Sequence, residues 1–389
     1  MAQVGRRFTI LHTESSLGWG GQEHRVLAEA RILTDRGHRL LLACDPRGSL
    51  YGRAAREGLP LFPVKFWGWR NVTALWTIRG ILKAERVDIL NTHSSLDSWV
   101  GTLAWGCGSR TVKLVRTRHL STPVADNWPT RWLYRTPAAV ITTGKNISDL
   151  LNQRLGIPSE RLFIIPTGVA PEEFAPRPPD PTLIHSLNLP SGALVLGTVS
   201  VLRSWKGHLD LLEAFNLLVT EGEPAILLIV GEGPYRPVIE AKIAELGLQA
   251  RVRLVGHQEN VPAWLALMDV FVMASYANEG VPQALLQAMA MARPVAATAA
   301  GGIPEAIIPE KTGLLAPPRN PPALAQILAR LCRDAALREA LGQKGRELVL
   351  QRFSLGHMAD RLERLYGILM AGAGDRQTAT LASCSPKDP

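Results

Sequence analysis

Short apolar runs alternate with amphipathic stretches along the chain. In the first half, Phe8–His12 reads as a strand. Gln22–Asp35 reads as a helix, with Val26, Leu27, Ala30 and Leu33 on one stripe. Arg36-Gly37-His38 stops that helix, and Arg39–Cys44 is the next strand. Leu50–Glu57 and Leu75–Ala84 are predicted helices. Leu61–Val64, Ile89–Thr92, Leu114–Thr117 and Val140–Thr143 are predicted strands. The Pro-rich stretch Pro171–Pro181 interrupts the pattern and reads as a linker. A second alternation follows. Its predicted strands are Leu194–Val201, Ile226–Val230, Val252–Val255, Val270–Met273 and Pro294–Ala297. Its predicted helices are His208–Val219, Tyr235–Leu246, Val261–Met268 and Pro282–Met291. A last helix, about His357–Met370, carries Met358, Leu362, Leu365 and Leu369 on one side.

Strand–helix alternation at this spacing predicts parallel sheets covered on both faces. The fold class is therefore α/β, with two Rossmann-like doubly wound domains facing across a cleft. Ligands of such sheets bind at the carboxyl ends of strands, where strand order reverses. The expected division is 1–172, 173–352, a crossing helix over 353–371 and a disordered tail over 372–389.

Bulk properties narrow the class. The chain has 389 residues, 46% of them apolar, which is enough for two substantial cores. No apolar run approaches the roughly 18–20 residues that span a bilayer, and the first residues do not read as a secretory signal. The four cysteines, Cys44, Cys107, Cys332 and Cys384, are scattered and form no CxxC. A reduced, cytoplasmic protein is expected. Residues 1–175 hold 23 Lys and Arg against 14 Asp and Glu, whereas the remainder balances at 20 each. The whole excess of +9 lies in the first half, which suits an anionic partner. Solubility conferred by arginine is the plainer explanation. No nucleic-acid-binding module is recognisable.

Three segments can carry chemistry. Gly18-Trp19-Gly20-Gly21-Gln22-Glu23 follows the first strand and opens the first helix. Glycines there let the backbone approach a ligand, and a helix N-terminus favours phosphate or hydroxyl groups. Arg203-Ser204-Trp205-Lys206-Gly207 places two cations at a strand end, where they can clamp a diphosphate. Glu279-Gly280-Val281-Pro282-Gln283-Ala284 opens a helix that carries Gln287 two turns later. Each segment also has a structural reading: a tight turn, a solvated basic loop and a capping carboxylate.

These three segments, with Ile165-Pro166-Thr167-Gly168-Val169 and Gly231-Glu232-Gly233-Pro234, stand in an order that resembles the family 4 retaining glycosyltransferases of the GT-B fold. The resemblance extends to about residue 370. It implies that Gly20 and Gly21 approach the donor through their amides, and that Arg203 and Lys206 neutralise the diphosphate. It implies that Glu279 holds hydroxyls of the donor sugar, that Gln287 contacts the ribose, and that the amides of Val281, Pro282, Gln283 and Ala284 line sugar and phosphate. His119, in Arg116-Thr117-Arg118-His119, matches the family's active-site histidine near the donor sugar. The chain departs from the pattern twice. Gln287 stands where the family has a second glutamate, and Val201 stands five residues before Lys206, where the family has an arginine.

The implied activity moves a sugar from a nucleotide-diphospho-sugar to a glycan or lipid-linked acceptor, with retention of configuration. No Asp-x-Asp element is present, so the implied transfer uses no metal and no cofactor beyond the donor. On the acceptor side, Phe66-Trp67-Gly68-Trp69-Arg70, Arg116, Arg118, Trp128, Arg131, Trp132 and Arg135 interleave aromatics with cations. That pattern fits a carbohydrate platform or an anionic membrane surface, with cell-envelope polysaccharide or lipopolysaccharide as the acceptor class. A GT-B sugar-nucleotide epimerase and a non-catalytic transferase-like subunit remain as alternatives.

Overall fold

A computed structural model describes residues 6–66, 72–108, 111–190 and 192–371. The first sheet contains β1 (Thr9–Glu14), β2 (Arg39–Cys44), β3 (Leu61–Pro63), β4 (Ile89–Thr92), β5 (Lys113–Arg118), β6 (Ala139–Thr142) and β7 (Leu162–Ile164). All are parallel, in the order β3-β2-β1-β4-β5-β6-β7. The second sheet contains β8 (Leu194–Val199), β9 (Ala225–Val230), β10 (Val252–Gly256), β11 (Val270–Met273), β12 (Val295–Thr298) and β13 (Leu314–Ala316). It is also parallel, in the order β10-β9-β8-β11-β12-β13. Each sheet therefore reverses strand order once, between β1 and β4 and between β8 and β11.

The strands read as unbroken apolar runs because both sheet faces are covered. Along β1, Ile10 packs with Val26, Leu27 and Leu33 of helix Gly21–Asp35, whereas Leu11 packs with Ile78 of helix Val72–Ala84 on the opposite face. In the second sheet, Leu227 faces Phe215 and Leu328, and Leu228 faces Leu285 and Met289.

Several helices go beyond the pattern analysis: Ser95–Gly106, Trp128–Arg135, Lys145–Leu155, Pro321–Arg333 and Ala335–Arg352. Helix Ser95–Gly106 hides its period because small and apolar residues such as Val100, Gly101 and Ala104 are buried while Leu103 is exposed. Its signal is instead the capping box formed by Ser94 and Asp97. The Pro-rich stretch runs without regular structure into the short helix Pro181–Ser186, capped by Asp180 through the Thr182 amide at 2.8 Å.

The chain crosses back at its far end. The Val169 amide donates to the Phe353 carbonyl at 2.8 Å, and the Leu355 amide to the Val169 carbonyl at 2.9 Å. Helix Leu355–Met370 then buries Met358, Leu362 and Tyr366 against Phe8, Ile10 and Leu27. Arg36 ties its exposed side down through Asp360 at 2.6 Å and Glu363 at 2.7 Å. The two halves also touch directly. Glu305 accepts from the Lys145 and Asn146 amides at 2.6 and 2.9 Å, so the second half caps the N-terminus of helix Lys145–Leu155. Arg53 pairs with Glu259 across the same seam. Among the described residues, no helix is long and apolar enough to cross a membrane.

Candidate active site

The loops that follow the two reversal points meet at the seam between the halves. On the second wall, β8 leads into the turn Ser204–Lys206. Gly207 closes that turn at φ +69°, and a Cβ there would lie 1.9 Å from the Ala274 carbonyl oxygen. Only glycine fits, and the Tyr276 amide locks the turn by donating to the Trp205 carbonyl at 2.9 Å. The Lys206 ammonium is thereby held 2.6 Å from the Glu279 Oε1. The same oxygen accepts from the Ser275 hydroxyl at 2.8 Å, and the Glu279 carbonyl accepts from Asn146 at 2.8 Å. The Lys206 side chain keeps 20% of its surface in solvent, so it can reach an incoming anion without leaving its partner.

The loop after Glu279 is fixed against the first wall. A Cβ on Gly280 would lie 2.3 Å from the Thr143 hydroxyl and 3.2 Å from the His119 carbonyl. The Val281 amide donates to the Thr143 carbonyl at 3.4 Å, and Pro282 has no N–H. Of the four positions expected to offer amides, Gln283 and Ala284 therefore remain. They open helix Gln283–Ala290, on which Gln287 is buried. Arg203 is not brought to Glu279. It is exposed, with its guanidinium 5.2 Å above the Trp205 ring.

The first wall presents Gly20 and Gly21. The Gly20 amide donates to the Glu23 carboxylate at 2.8 Å. A Cβ on Gly20 would stand 3.5 Å from that carboxylate and 3.9 Å from Val201, and one on Gly21 would stand 4.0 Å from the Gln283 side-chain oxygen. These are ordinary contacts, so the packing seen here does not require either glycine. They do place the glycine turn directly opposite Val201 and Gln283 of the second wall.

His119 follows β5 and is buried at the seam. Its carbonyl accepts from the Thr143 hydroxyl at 3.1 Å. Its Nε2 lies 3.0 Å from His93 Nδ1, and His93 Nε2 lies 2.9 Å from His12 Nδ1. His12 Nδ1 in turn stands 3.8 Å from Glu29 Oε2, while Arg25 holds Glu29 Oε1 at 2.6 Å. Burial pushes all three histidines below the ordinary imidazole value, so they are neutral at pH 7. His12, Glu29 and His93 offer ligand atoms within 4.8 Å of one another. The Arg25 guanidinium against Glu29 and the short nitrogen–nitrogen distance fit a hydrogen-bonded row better than a metal sphere.

A second buried network escaped the sequence reading. Glu14 accepts from Gln22 at 2.6 Å, from the Ser16 amide at 2.7 Å and from Ser94. Burial, and then the charge of Asp97, push its pKa up to about 8. Burial pushes Asp97 up to about 6, against hydrogen bonds from the His93 amide and Thr13. The acceptor-side aromatics divide. Trp128 is 77% exposed, and Trp132 stacks on Trp99 at 5.8 Å. Arg116 is no surface residue as expected. It is buried 4.1 Å over the Tyr134 ring, because β5 carries it inward. Phe66 is buried, and positions 67–70 of that motif lie outside the described residues.

Comparison with known proteins gives these features a setting. The family model for glycosyl transferases group 1 matches residues 180–348, and that for Glycosyltransferase Family 4 matches residues 19–173. A 2-deoxystreptamine glucosyltransferase of Streptomyces kanamyceticus is 30% identical over 59% of this chain and 60% of its own length. An alpha-D-kanosaminyltransferase of the same organism is 28% identical over 63% of this chain and 64% of its own length. The chain thus spans under two thirds of these relatives in the matched part. A glycosyltransferase structure from Rickettsia africae superposes with a TM-score of 0.85 at 23% identity, covering 94% of this chain and all of that one. Anabaena HepE, solved in complex with UDP and glucose, gives 0.81 at 20% identity over 92% of this chain and 99% of that one. The shared fold is GT-B. The two models take up the two halves in turn, and the chain belongs to the family 4, group 1 glycosyltransferases.

Proposed function

We propose that the protein transfers a sugar from a nucleotide-diphospho-sugar to a glycan or lipid-linked acceptor, with retention of configuration and without a metal ion. The observation that carries this reading is the Lys206–Glu279 pair, 2.6 Å apart at a strand-order reversal, on the wall whose Val201 and Gln283 stand against the Gly20–Gly21 turn. Breaking the bond between sugar and diphosphate leaves positive charge on the ring and negative charge on the leaving group. Lys206 is the cation aimed at the leaving oxygens, and it needs no reorganisation as charge develops. Glu279 orients Lys206 and offers its remaining oxygen to the donor sugar. The free amides of Gln283 and Ala284 address the phosphates. Gln287 bonds the ribose through its amide group, without a glutamate's charge. Arg203 lies on an exposed turn and swings from Trp205 to the diphosphate on binding. With Lys206 so placed, the donor phosphate can accept the acceptor's proton on the face that the nucleotide leaves.

Anabaena HepE, solved with UDP and glucose and with UDP-glucose, supports a uridine nucleotide as the first donor to try. A putative colanic acid glycosyltransferase of Escherichia coli, 33% identical over 47% of this chain, and a lipopolysaccharide core glycosyltransferase of Rhizobium meliloti, 33% identical over 46%, support an envelope glycan as acceptor. The basic first half and exposed Trp128 support docking of the acceptor at an anionic membrane face on the cytoplasmic side.

The test is acceptor-dependent release of nucleotide diphosphate. Lys206→Ala should lower kcat by about 10²- to 10³-fold while the fold persists. Chelator should leave the rate intact. Turnover near that of the wild type in Lys206→Ala would remove this residue from the mechanism.

A further inference from the structure

A row of three imidazoles runs inward from the site, and its inner end is charged. His119, His93 and His12 come from three neighbouring strands: β1 carries His12 within its second half, and His93 and His119 follow β4 and β5 directly. All three are buried, as are Arg25 and Glu29. The links are 3.0 Å from His119 Nε2 to His93 Nδ1 and 2.9 Å from His93 Nε2 to His12 Nδ1. Each neutral ring has one N–H and one lone pair, so the row must point one way or the other as a unit.

We propose that His12 and His93 are positioning residues that hold His119 in its Nδ1–H tautomer, so that it meets the donor sugar as a neutral hydrogen-bond donor. The proposal rests on the reading of His119 as a donor-facing residue.

The direction follows from what stands at the inner end. Glu29 Oε2 lies 3.8 Å from His12 Nδ1 and has no hydrogen bond of its own. A proton on His12 Nδ1 lies beside a carboxylate oxygen, whereas a lone pair there would face the same negative charge. With that proton in place, His12 donates to His93 Nε2, and His93 Nδ1 donates to His119 Nε2. His119 Nε2 is then an acceptor, and its proton resides on Nδ1, the nitrogen left for a ligand. The other end agrees. His12 Nε2 is buried without a partner, and the opposite direction would put an N–H there. A buried donor without an acceptor is rarer in folded proteins than an acceptor without a donor. Arg25 holds Glu29 in place: it donates to Glu29 Oε1 at 2.6 Å and to the Ile165 carbonyl at 2.6 Å.

A free neutral imidazole favours the proton on Nε2, so the enforced tautomer has a signature. The experiment is ¹⁵N NMR of the full chain labelled at its nine histidines, without ligand. His119 is expected as Nδ1–H, and an Nε2–H or doubly protonated His119 overturns the proposal. His93→Asn keeps a polar group but breaks the row. It should shift His119 toward Nε2–H and lower kcat about 10- to 100-fold, with donor KM changed by less than about threefold. His12→Asn should act in the same direction one ring further away, and it serves if His93→Asn does not fold. Normal kcat in these variants, together with a large loss in His119→Ala, overturns the proposal and leaves the transferase reading standing. Normal transfer by His119→Ala overturns both the proposal and the donor-facing reading of that residue.

Discussion

The two walls of the cleft handle polarity in opposite ways. The second wall keeps a cation within reach of solvent: the Lys206 ammonium retains a fifth of its side-chain surface beside the buried Glu279 carboxylate. The first wall buries its titratable groups and shifts several of them toward their neutral forms. His12, His93 and His119 are held uncharged, Glu14 carries its proton up to about pH 8, and Asp97 up to about pH 6. Arg25 and Glu29 form a sealed pair there, and the Arg116 guanidinium lies buried over Tyr134. The contrast fits a dianionic leaving group. Fixed cations belong where negative charge develops, and free carboxylates on the facing wall would repel it. The charged wall is built for binding an anion, and the neutral wall is built for orienting hydrogen bonds.

The sealed pair is the sharpest place to break that contrast. Glu29→Gln preserves shape but leaves the Arg25 guanidinium as an unpaired buried charge. A loss of about 3–5 kcal/mol is expected. Denaturant unfolding followed by circular dichroism would read it. A loss under about 1 kcal/mol would mean that water reaches Arg25 and that the first wall is not dry.

Much of this architecture is legible in the sequence, but the first wall is not. Alternation of apolar runs gives both sheets because each strand is covered on two sides, as Ala225–Val230 is along its whole length. The motifs of the second wall are also legible, since Lys206, Gly207 and Glu279 each sit at a strand end in a recognisable local pattern. Their geometry is not: nothing in the spacing says that Val281 spends its amide on Thr143, or that Arg203 lies on Trp205. The histidine row is invisible for a different reason. His12 and His93 stand 81 residues apart, and His93 and His119 stand 26 apart. Only the strand order β1-β4-β5 makes them neighbours. The available signal was that each of the three histidines lies in the second half of a strand or directly after one.

The glycines sharpen the same comparison on a smaller scale. Gly280 is required by packing between the walls, with Thr143 2.3 Å from where a Cβ would stand. Gly280→Ala should cost about 1–3 kcal/mol of stability. Gly21 has no such neighbour: the nearest atom to its Cβ position is 4.0 Å away, on Gln283. Gly21→Ala should leave stability within about 0.5 kcal/mol. Its effect belongs in donor KM, raised about tenfold, or about 1.4 kcal/mol. Thermal melts of both variants, with donor titrations of the second, separate space kept for packing from space kept for a ligand. Equal melting losses would erase the distinction.

Per pH unit the effect at Glu14 is modest, and there the first wall should reveal itself through pH. Its carboxyl is raised from 4.5 to about 8 by burial and the Asp97 charge. The folded state therefore binds a proton that the unfolded chain releases. The stability this confers is complete below pH 4.5 and declines as pH rises to about 8. The three histidines act in the opposite sense: their folded pKa values lie below 6.5, so their contribution is lost as pH falls below that value. Glu14→Gln removes one slope and leaves the others. Between pH 5 and 8, wild-type stability should fall relative to the variant by at most about 1.4 kcal/mol per pH unit. A constant offset from lost hydrogen bonds would not change that slope. Parallel curves for the two proteins would mean that Glu14 is ionised in the folded state, and the first wall would then carry a second negative charge next to Asp97.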